Sequence, residues 1–356
     1  MFFSNSLVSI DIGSSAVKML ELTGNITQRK LKNFAIEVLP RGLIENSLIN
    51  DADALTQIVK KMVNKLGVKG RRVSISVSGS GVIIKRVRVA IGKDATLAEQ
   101  VDFHAAQSFQ VDLSELYYDY ADLGPSPRHE GHVDVLLVGA RRELIEQQIS
   151  IVKAAGLSPG VIEAAAISAA NMFELNYGVV DGLIALVSVG ASQTEISFID
   201  NGRFLYSFES PIGGETYTSA IVQAMNMDRE TAEALKISIS ENSGDVSSEI
   251  QRVLNETNNL IVNDIRQIFG FFAASSDAEG VAAAKFVFLA GGASRTLGLD
   301  AAIASALGIP VVFANPFQRV EVNERKFKIE QVLSLSPMFA VAIGLGIREK
   351  GDKVPV

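Results

Sequence analysis

Val8-Ser9-Ile10-Asp11-Ile12-Gly13-Ser14-Ser15-Ala16-Val17-Lys18-Met19-Leu20-Glu21-Leu22 reads as a strand, a glycine turn and a second strand. Val8 to Ile12 alternates apolar and polar residues, the period of a half-buried strand. Gly13-Ser14-Ser15 breaks that pattern, and Ala16 to Leu22 is short and runs into the turn signal Gly24-Asn25. The glycine therefore belongs to a hairpin. Dinucleotide-binding and Walker A loops lead instead from a strand into a helix, and neither GxGxxG nor GxxxxGK[ST] occurs in the chain.

The same pattern returns in the second half. Leu183 to Val189 is a continuous apolar strand, Gly190-Ala191-Ser192 interrupts it, Gln193 to Ile199 alternates again, and Asn201-Gly202 is a hairpin turn. Ile10 to Ser15 thus matches Val187 to Ser192, which predicts two related halves, each opening with a glycine hairpin. Small residues at a hairpin tip let backbone N–H groups come close to an anion. Two such tips facing each other would grip the phosphates of a nucleotide through Gly13, Ser14, Ser15, Gly190, Ala191 and Ser192. Asp11, at a strand end, would hold Mg²⁺ through water, because that ion sheds its hydration reluctantly. Lys18 would reach a phosphate as a point charge. A third glycine turn follows the strand Phe286 to Leu289. Its residues Gly291, Gly292, Ala293 and Ser294 suit the close approach of backbone to a flat base.

The bulk properties limit the alternatives. The chain has 356 residues, which predicts two to three domains, and 47% of them are hydrophobic, which excludes wholesale disorder. A net charge of −7 argues against nucleic acid as a partner. There is no cysteine, hence no thiolate nucleophile or Cys-based zinc site, and three histidines are little material for a metal cluster. The N-terminus Met1 to Ser6 has no signal-peptide pattern, and the apolar run Met338 to Ile347 is shorter than a membrane span. Between the hairpins, Leu55, Ile58, Val59, Met62, Val63 and Leu66 predict an amphipathic helix, with Asp51 or Asp53 as cap and Gly67 as stop. From Val82 to Pro159 the chain reads as an inserted unit: strands at Val82–Val89, Tyr117–Leu123 and Val133–Val138, and helices at about 95–110 and 142–155. Later helices are expected at Glu215–Met225, Arg229–Ile237 and Val246–Ala274, the last burying Ile250, Val253, Leu254, Leu260, Ile261, Ile265, Ile268 and Phe272.

The ordered set of segments resembles the actin/Hsp70/FtsA superfamily. Asp11 to Lys18 is similar to its first phosphate loop, Leu186 to Thr194 to its second, and Leu289 to Ser294 to its adenosine motif. Val161 to Asn171 and Pro337 to Gly346 are similar to its two connecting helices. A closer resemblance, over nearly the whole chain, is to the PilM branch. It is carried by Ala154-Ala155-Gly156-Leu157-Ser158-Pro159, Ser210-Pro211-Ile212-Gly213-Gly214, Ala232-Glu233-Ala234-Leu235-Lys236, Asn315-Pro316-Phe317 and Val341 to Arg348.

The resemblance implies an α/β, duplicated RNase H-like fold of four subdomains around a nucleotide cleft. These are 1A at 1–83 and 160–180, an FtsA-type insert 1C at 84–159, 2A at 181–215 and 284–356, and 2B at 216–283. It places Glu233 and Lys236 near ribose and adenine, and Gly213 and Gly214 in the nucleotide site. It implies a cytoplasmic ATP-binding adaptor of the type IV pilus machinery. Such an adaptor takes the cytoplasmic tail of a PilN-type inner-membrane protein in a groove beside the insert. It meets the membrane only through that partner, and it has scope for self-association. The family's second phosphate loop carries Asp where this chain has Ser188, and a serine cannot serve as a carboxylate base. Glu163, expected in the first connecting helix, is the candidate catalytic acid. ATP binding with slow hydrolysis or none follows. The alternatives are an FtsA-like filament-forming ATPase and a small-molecule kinase of the same superfamily.

Overall fold

A computed structural model describes residues 7–349, except 26, 46, 91–95, 127–128, 243–245, 276–277 and 279. The start Met1–Ser6, the tail Lys350–Val356, Pro127, Arg128 and the anticipated helix start at Ala95 lie outside the described residues. The first half runs β1 (Val8–Ile12), β2 (Ala16–Thr23), β3 (Arg29–Val38), a small hairpin of β4 (Ile44–Glu45) and β5 (Leu48–Ile49), α1 (Ala52–Leu66) and β6 (Arg72–Val77). The insert follows: β7 (Val82–Ala90), α2 (Leu97–Phe109), β8 (Leu116–Pro125), β9 (His132–Arg141) and α3 (Arg142–Ala154). The chain returns through β10 (Ser158–Ala164) and α4 (Ala165–Tyr177). The second half runs β11 (Leu183–Val189), β12 (Thr194–Asp200), β13 (Arg203–Ser210), α5 (Gly214–Met225), α6 (Arg229–Asn242), α7 (Ser248–Ala274), β14 (Phe286–Ala290), α8 (Leu299–Leu307) and β15 (Val311–Phe313). It closes with β16 (Val320–Glu321), α9 (Ile329–Leu335) and α10 (Ala340–Gly346).

The duplication is visible in the sheets. β1 pairs antiparallel with β2 and parallel with β6; β11 pairs antiparallel with β12 and parallel with β14. The first sheet is ordered β10-β6-β1-β2-β3-β16 and the second β13-β12-β11-β14-β15. The insert has its own sheet, β7-β9-β8, whose apolar face packs under α2 through Val101, Ala105, Phe109, Val135 and Leu137. The amphipathic helix forms as its spacing predicts. Asp51 caps α1 by accepting the N–H of Ala54 at 2.9 Å, and Gly67 ends it in the left-handed conformation.

Between the two sheets lie α4 and α10. One core runs through both halves, joining Leu20 and Leu22 of β2, Ile167 and Met172 of α4, Ile184 and Leu186 of β11, Phe288 of β14, and Phe339 and Ile343. The helices cross so closely that a Cβ on Gly344 would lie 1.7 Å from Ser168 O. α10 also packs on β1, β2 and β6, and β16 joins the first sheet through Val320 opposite Arg29. The C-terminal segment is therefore built into both halves.

Three expectations are corrected. Val161 to Ala164 is the end of strand β10, and the first connecting helix begins only at Ala165. Four β6-facing residues there complete the sheet edge before the helix turns away. Leu260 is 56% exposed on α7, outside its buried stripe. The helical run Ile329–Gly346 reaches 18 residues with mean hydropathy 1.4, long and apolar enough by composition to cross a membrane. Here it is broken by a 3-10 turn at Ser336–Phe339, and its second half is buried between the sheets.

Candidate nucleotide cleft

The two glycine hairpins meet. Gly13 N–H closes the first tip on Ala16 O at 3.1 Å, and Gly190 N–H closes the second on Gln193 O at 2.8 Å. Across the cleft, Ser192 Oγ donates to Ser14 Oγ at 2.9 Å. Two more contacts join the halves nearby: Ser47 Oγ to Gln193 Oε1 at 3.4 Å, and Gly79 N–H to Glu209 Oε1 at 2.8 Å.

Beneath the first tip, Asp11 is buried at the end of β1. Lys18 Nζ donates to its Oδ2 at 3.0 Å and Ser76 Oγ to its Oδ1 at 3.0 Å. The hairpin register, with Asp11 opposite Lys18, makes the first contact. Parallel pairing of β1 with β6 makes the second. Glu163, opposite Ser76 on β10, stands in the same row. Its carboxylate accepts Ser168 Oγ–H at 2.6 Å and Asn171 Nδ2–H at 3.2 Å, and faces Arg348 Nε at 3.4 Å. That buried network ties β10 to α4 and to the end of α10, and it occupies the group proposed as catalytic acid.

The second half gathers its candidates around Gly190. Gly214 N–H donates to Gly190 O at 2.9 Å and Glu215 N–H to Ala191 O at 2.7 Å, so the second hairpin satisfies the first amides of α5. Lys236 Nζ donates to Gly214 O at 3.1 Å, Thr218 Oγ1 at 2.9 Å and Glu233 Oε2 at 2.6 Å. Burial pulls the Lys236 ammonium below the usual lysine range, and Glu233 partly offsets this. The third glycine turn docks on the same strand. Ala293 N–H donates to Val189 O at 3.0 Å, and Gly291 N–H to Pro337 O at 2.9 Å. Gly291 has φ +93°, and a Cβ there would lie 2.3 Å from Val189 O, so the position demands glycine. Ser294 Oγ is fully buried with no hydrogen-bond partner among the described residues. Gly292 packs under Met338. The structure thus brings together Gly13, Ser14, Asp11 and Lys18 on one side, and Gly190 to Ser192, Gly213, Gly214, Lys236, Glu233 and Gly291 to Ser294 on the other. Ser15, beside Ser14, is exposed at the first tip.

Sequence reading missed several charged groups. Glu195 lies opposite Ser188 in the β11–β12 register and opposite Glu209 in the β12–β13 register. It lines a cavity of about 270 Å³ shared with Gly79, Val82, Lys85, Ala164, Ala166 and Glu209. Burial, then the Glu209 charge, push the Glu195 carboxyl up to about 8, Ser197 opposing and Asp11 adding weakly. Counting outward from the Gly190–Gln193 turn would have paired Ser188 with Glu195 from sequence alone. Arg229 ion-pairs with Glu215 on α5. Burial, and the approach of Arg41 from the first half, hold its guanidinium below the ordinary range.

Comparison with known proteins identifies the fold and the family. The structure resembles the PilM–PilN type IV pilus biogenesis complex with a TM-score of 0.83 and 23% identity, over 96% of this chain and 99% of that one. It resembles the ethanolamine utilization protein EutJ from Carboxydothermus hydrogenoformans with a TM-score of 0.56 and 15% identity, over 96% and 89%. A third likeness is to MreB5 of Spiroplasma citri bound to ADP, with a TM-score of 0.52 and 14% identity, over 95% and 94%. The fold is actin-like. The sequence profile of the family described as type IV pilus assembly protein PilM matches residues 9–350. The chain belongs to the PilM family of type IV pilus assembly proteins.

Proposed function

We propose that this protein is a nucleotide-binding adaptor of the type IV pilus machinery, stationed at the cytoplasmic face of the inner membrane through a PilN-type partner. The observation that carries the nucleotide part is the contact of the two hairpin tips through Ser14 and Ser192. Two hydroxyls already bonded to each other can exchange that bond for phosphate oxygens, with the backbone N–H groups of both turns at hand. Lys18 supplies a positive charge, Asp11 a carboxylate for the hydration shell of Mg²⁺, and the unpartnered Ser294 hydroxyl beside the third turn fits a polar edge of a base. A bound Mg²⁺ would neutralise phosphate charge; the protein's share is to hold and orient.

Hydrolysis is expected to be slow or absent. Ser188 offers no carboxylate, Glu195 is held protonated through neutral pH by its burial and by Glu209, and Glu163 is engaged by Ser168 and Asn171. The partner part rests on membership of the family. The outer edge of β7, which among the described residues pairs only with β9 on its other side and lies beside the cavity between insert and halves, suits main-chain pairing with an extended peptide.

Thermal denaturation with and without ATP–Mg²⁺ tests the nucleotide part. At a concentration of about 100 Kd the ligand should add about 2.7 kcal/mol of stability, with phosphate release near background. No shift would remove that part. Fluorescence anisotropy with a labelled N-terminal peptide of a PilN-type protein tests the other, and absence of binding would remove it.

A further inference from the structure

Glu195 and Glu209 face each other across β12 and β13. Two carboxylates directly opposed on one face of a sheet repel, so the pair is stable with one proton between them. Glu195 is the deeper of the two, and Glu209 is exposed at the cavity mouth. Glu209 is also one of the groups by which the second half holds the first, through the Gly79 amide at 2.8 Å. The other contact near it, Ser47 to Gln193, is longer, at 3.4 Å, and Gln193 itself leans on Glu209 at 3.4 Å.

We propose that Glu195 and Glu209 are a proton-operated latch between the halves: with one proton on the pair, Glu209 holds Gly79 and the cleft stays shut, and with both ionised the Gly79 contact gives way. Around the pair, Ser197 of β12 donates to Glu195, Gln193 donates to Glu209, and β13 adds Tyr206 and Ser207 to the cavity wall. β11 presents Ser188, α4 presents Ala164 to Ala166, and the β6–β7 turn presents Ser78, Gly79 and Ser80. The charged groups facing the pair are Lys85 of β7, at the cavity wall, and Asp11 of β1, which is engaged by Lys18 of β2.

The sign follows from linkage. The closed cleft keeps Glu195 protonated from its ordinary value of 4.5 up to about 8, whereas an opened cleft hydrates the carboxyl and releases the proton. Closing therefore takes up a proton. The ratio of closed to open falls by up to ~tenfold per pH unit as pH rises through that window, and levels off above it.

Because Asp11 faces the pair and is also the candidate Mg²⁺ group, the test uses the full chain with neither nucleotide nor metal. Hydrogen exchange is measured at Gly79, normalised to the intrinsic exchange rate at each pH. In the wild type, protection of Gly79 is expected to fall on the order of a hundredfold between pH 6 and pH 8 and to stay flat above. Glu195→Gln should keep Gly79 protected across the range. Glu209→Ala, which removes the acceptor of the Gly79 N–H and can be read even if the first variant folds poorly, should leave Gly79 weakly protected at every pH. Protection that does not change with pH in the wild type, or that falls equally in Glu195→Gln, would overturn the latch while leaving ATP binding untouched.

Discussion

Ser188 and Glu195 are the residues on which chemistry in the cleft turns. They are cross-strand partners, one without a carboxylate and the other with a carboxyl that burial and Glu209 keep protonated. A positioned carboxylate base contributes about 10²–10⁴-fold to proton abstraction. Ser188→Asp is therefore expected to raise ATP turnover by at least about tenfold, read as phosphate release under single-turnover conditions; unchanged release would mean that turnover is limited elsewhere. Asp11→Asn should act in the opposite sense, removing the Mg²⁺ dependence of ATP binding while sparing weaker metal-free binding, as titration with and without chelator would show. The first of these residues was legible in the sequence, because Ser188 occupies a motif position. Glu195 was not read, because a lone Glu in an alternating strand looks like an ordinary solvated face. Only the hairpin register and the insert closing over it make it half-buried. Glu163 shows the reverse: the sequence offers it as an acid from its segment alone, and only the structure shows Ser168, Asn171 and Arg348 around its carboxylate.

Among the elements, the hairpins, α1, the insert and α7 followed their periodicities, and Asp51 and Gly67 bound α1 as capping chemistry requires. β3 escaped notice because its Lys and Asn residues interrupt the alternation, and it is held by pairing with β2 and β16, which local pattern does not reveal. The α4–α10 crossing was equally hidden. In an isolated helix Ala is favoured over Gly by about 1 kcal/mol. At Gly344 the sign reverses, because the added Cβ would sit 1.7 Å from the Ser168 carbonyl, a backbone atom in the core. Gly344→Ala should therefore destabilise the protein by about 3 kcal/mol or more. Urea denaturation, with the slope compared to the wild type, measures it; a gain in stability would show that the helices cross more loosely.

At the scale of the whole molecule, the halves are bound together in ways that make the cleft a single device. The core joining both sheets runs through α4 and α10, and β16 extends the first sheet after the chain has built the second. Buried Arg29 ties the segment after α10 to the β2–β3 turn by donating to Ile347 O at 3.2 Å and Gly24 O at 3.1 Å. With these ties at the base, the halves can differ chiefly at the cleft, where small contacts such as Ser14–Ser192 join them. A nucleotide clasped from both sides should then slow amide exchange together at 13–15, 190–193, 213–215 and 291–294, which belong to separate sequence segments but one site. The sheet of the insert, with its own core, should be unchanged by ATP and respond only to the peptide partner. Hydrogen exchange followed by mass spectrometry, with ATP–Mg²⁺ and peptide added separately, resolves the two. Protection confined to one hairpin would mean that the nucleotide rests on one half and that the facing tips do not act as a pair.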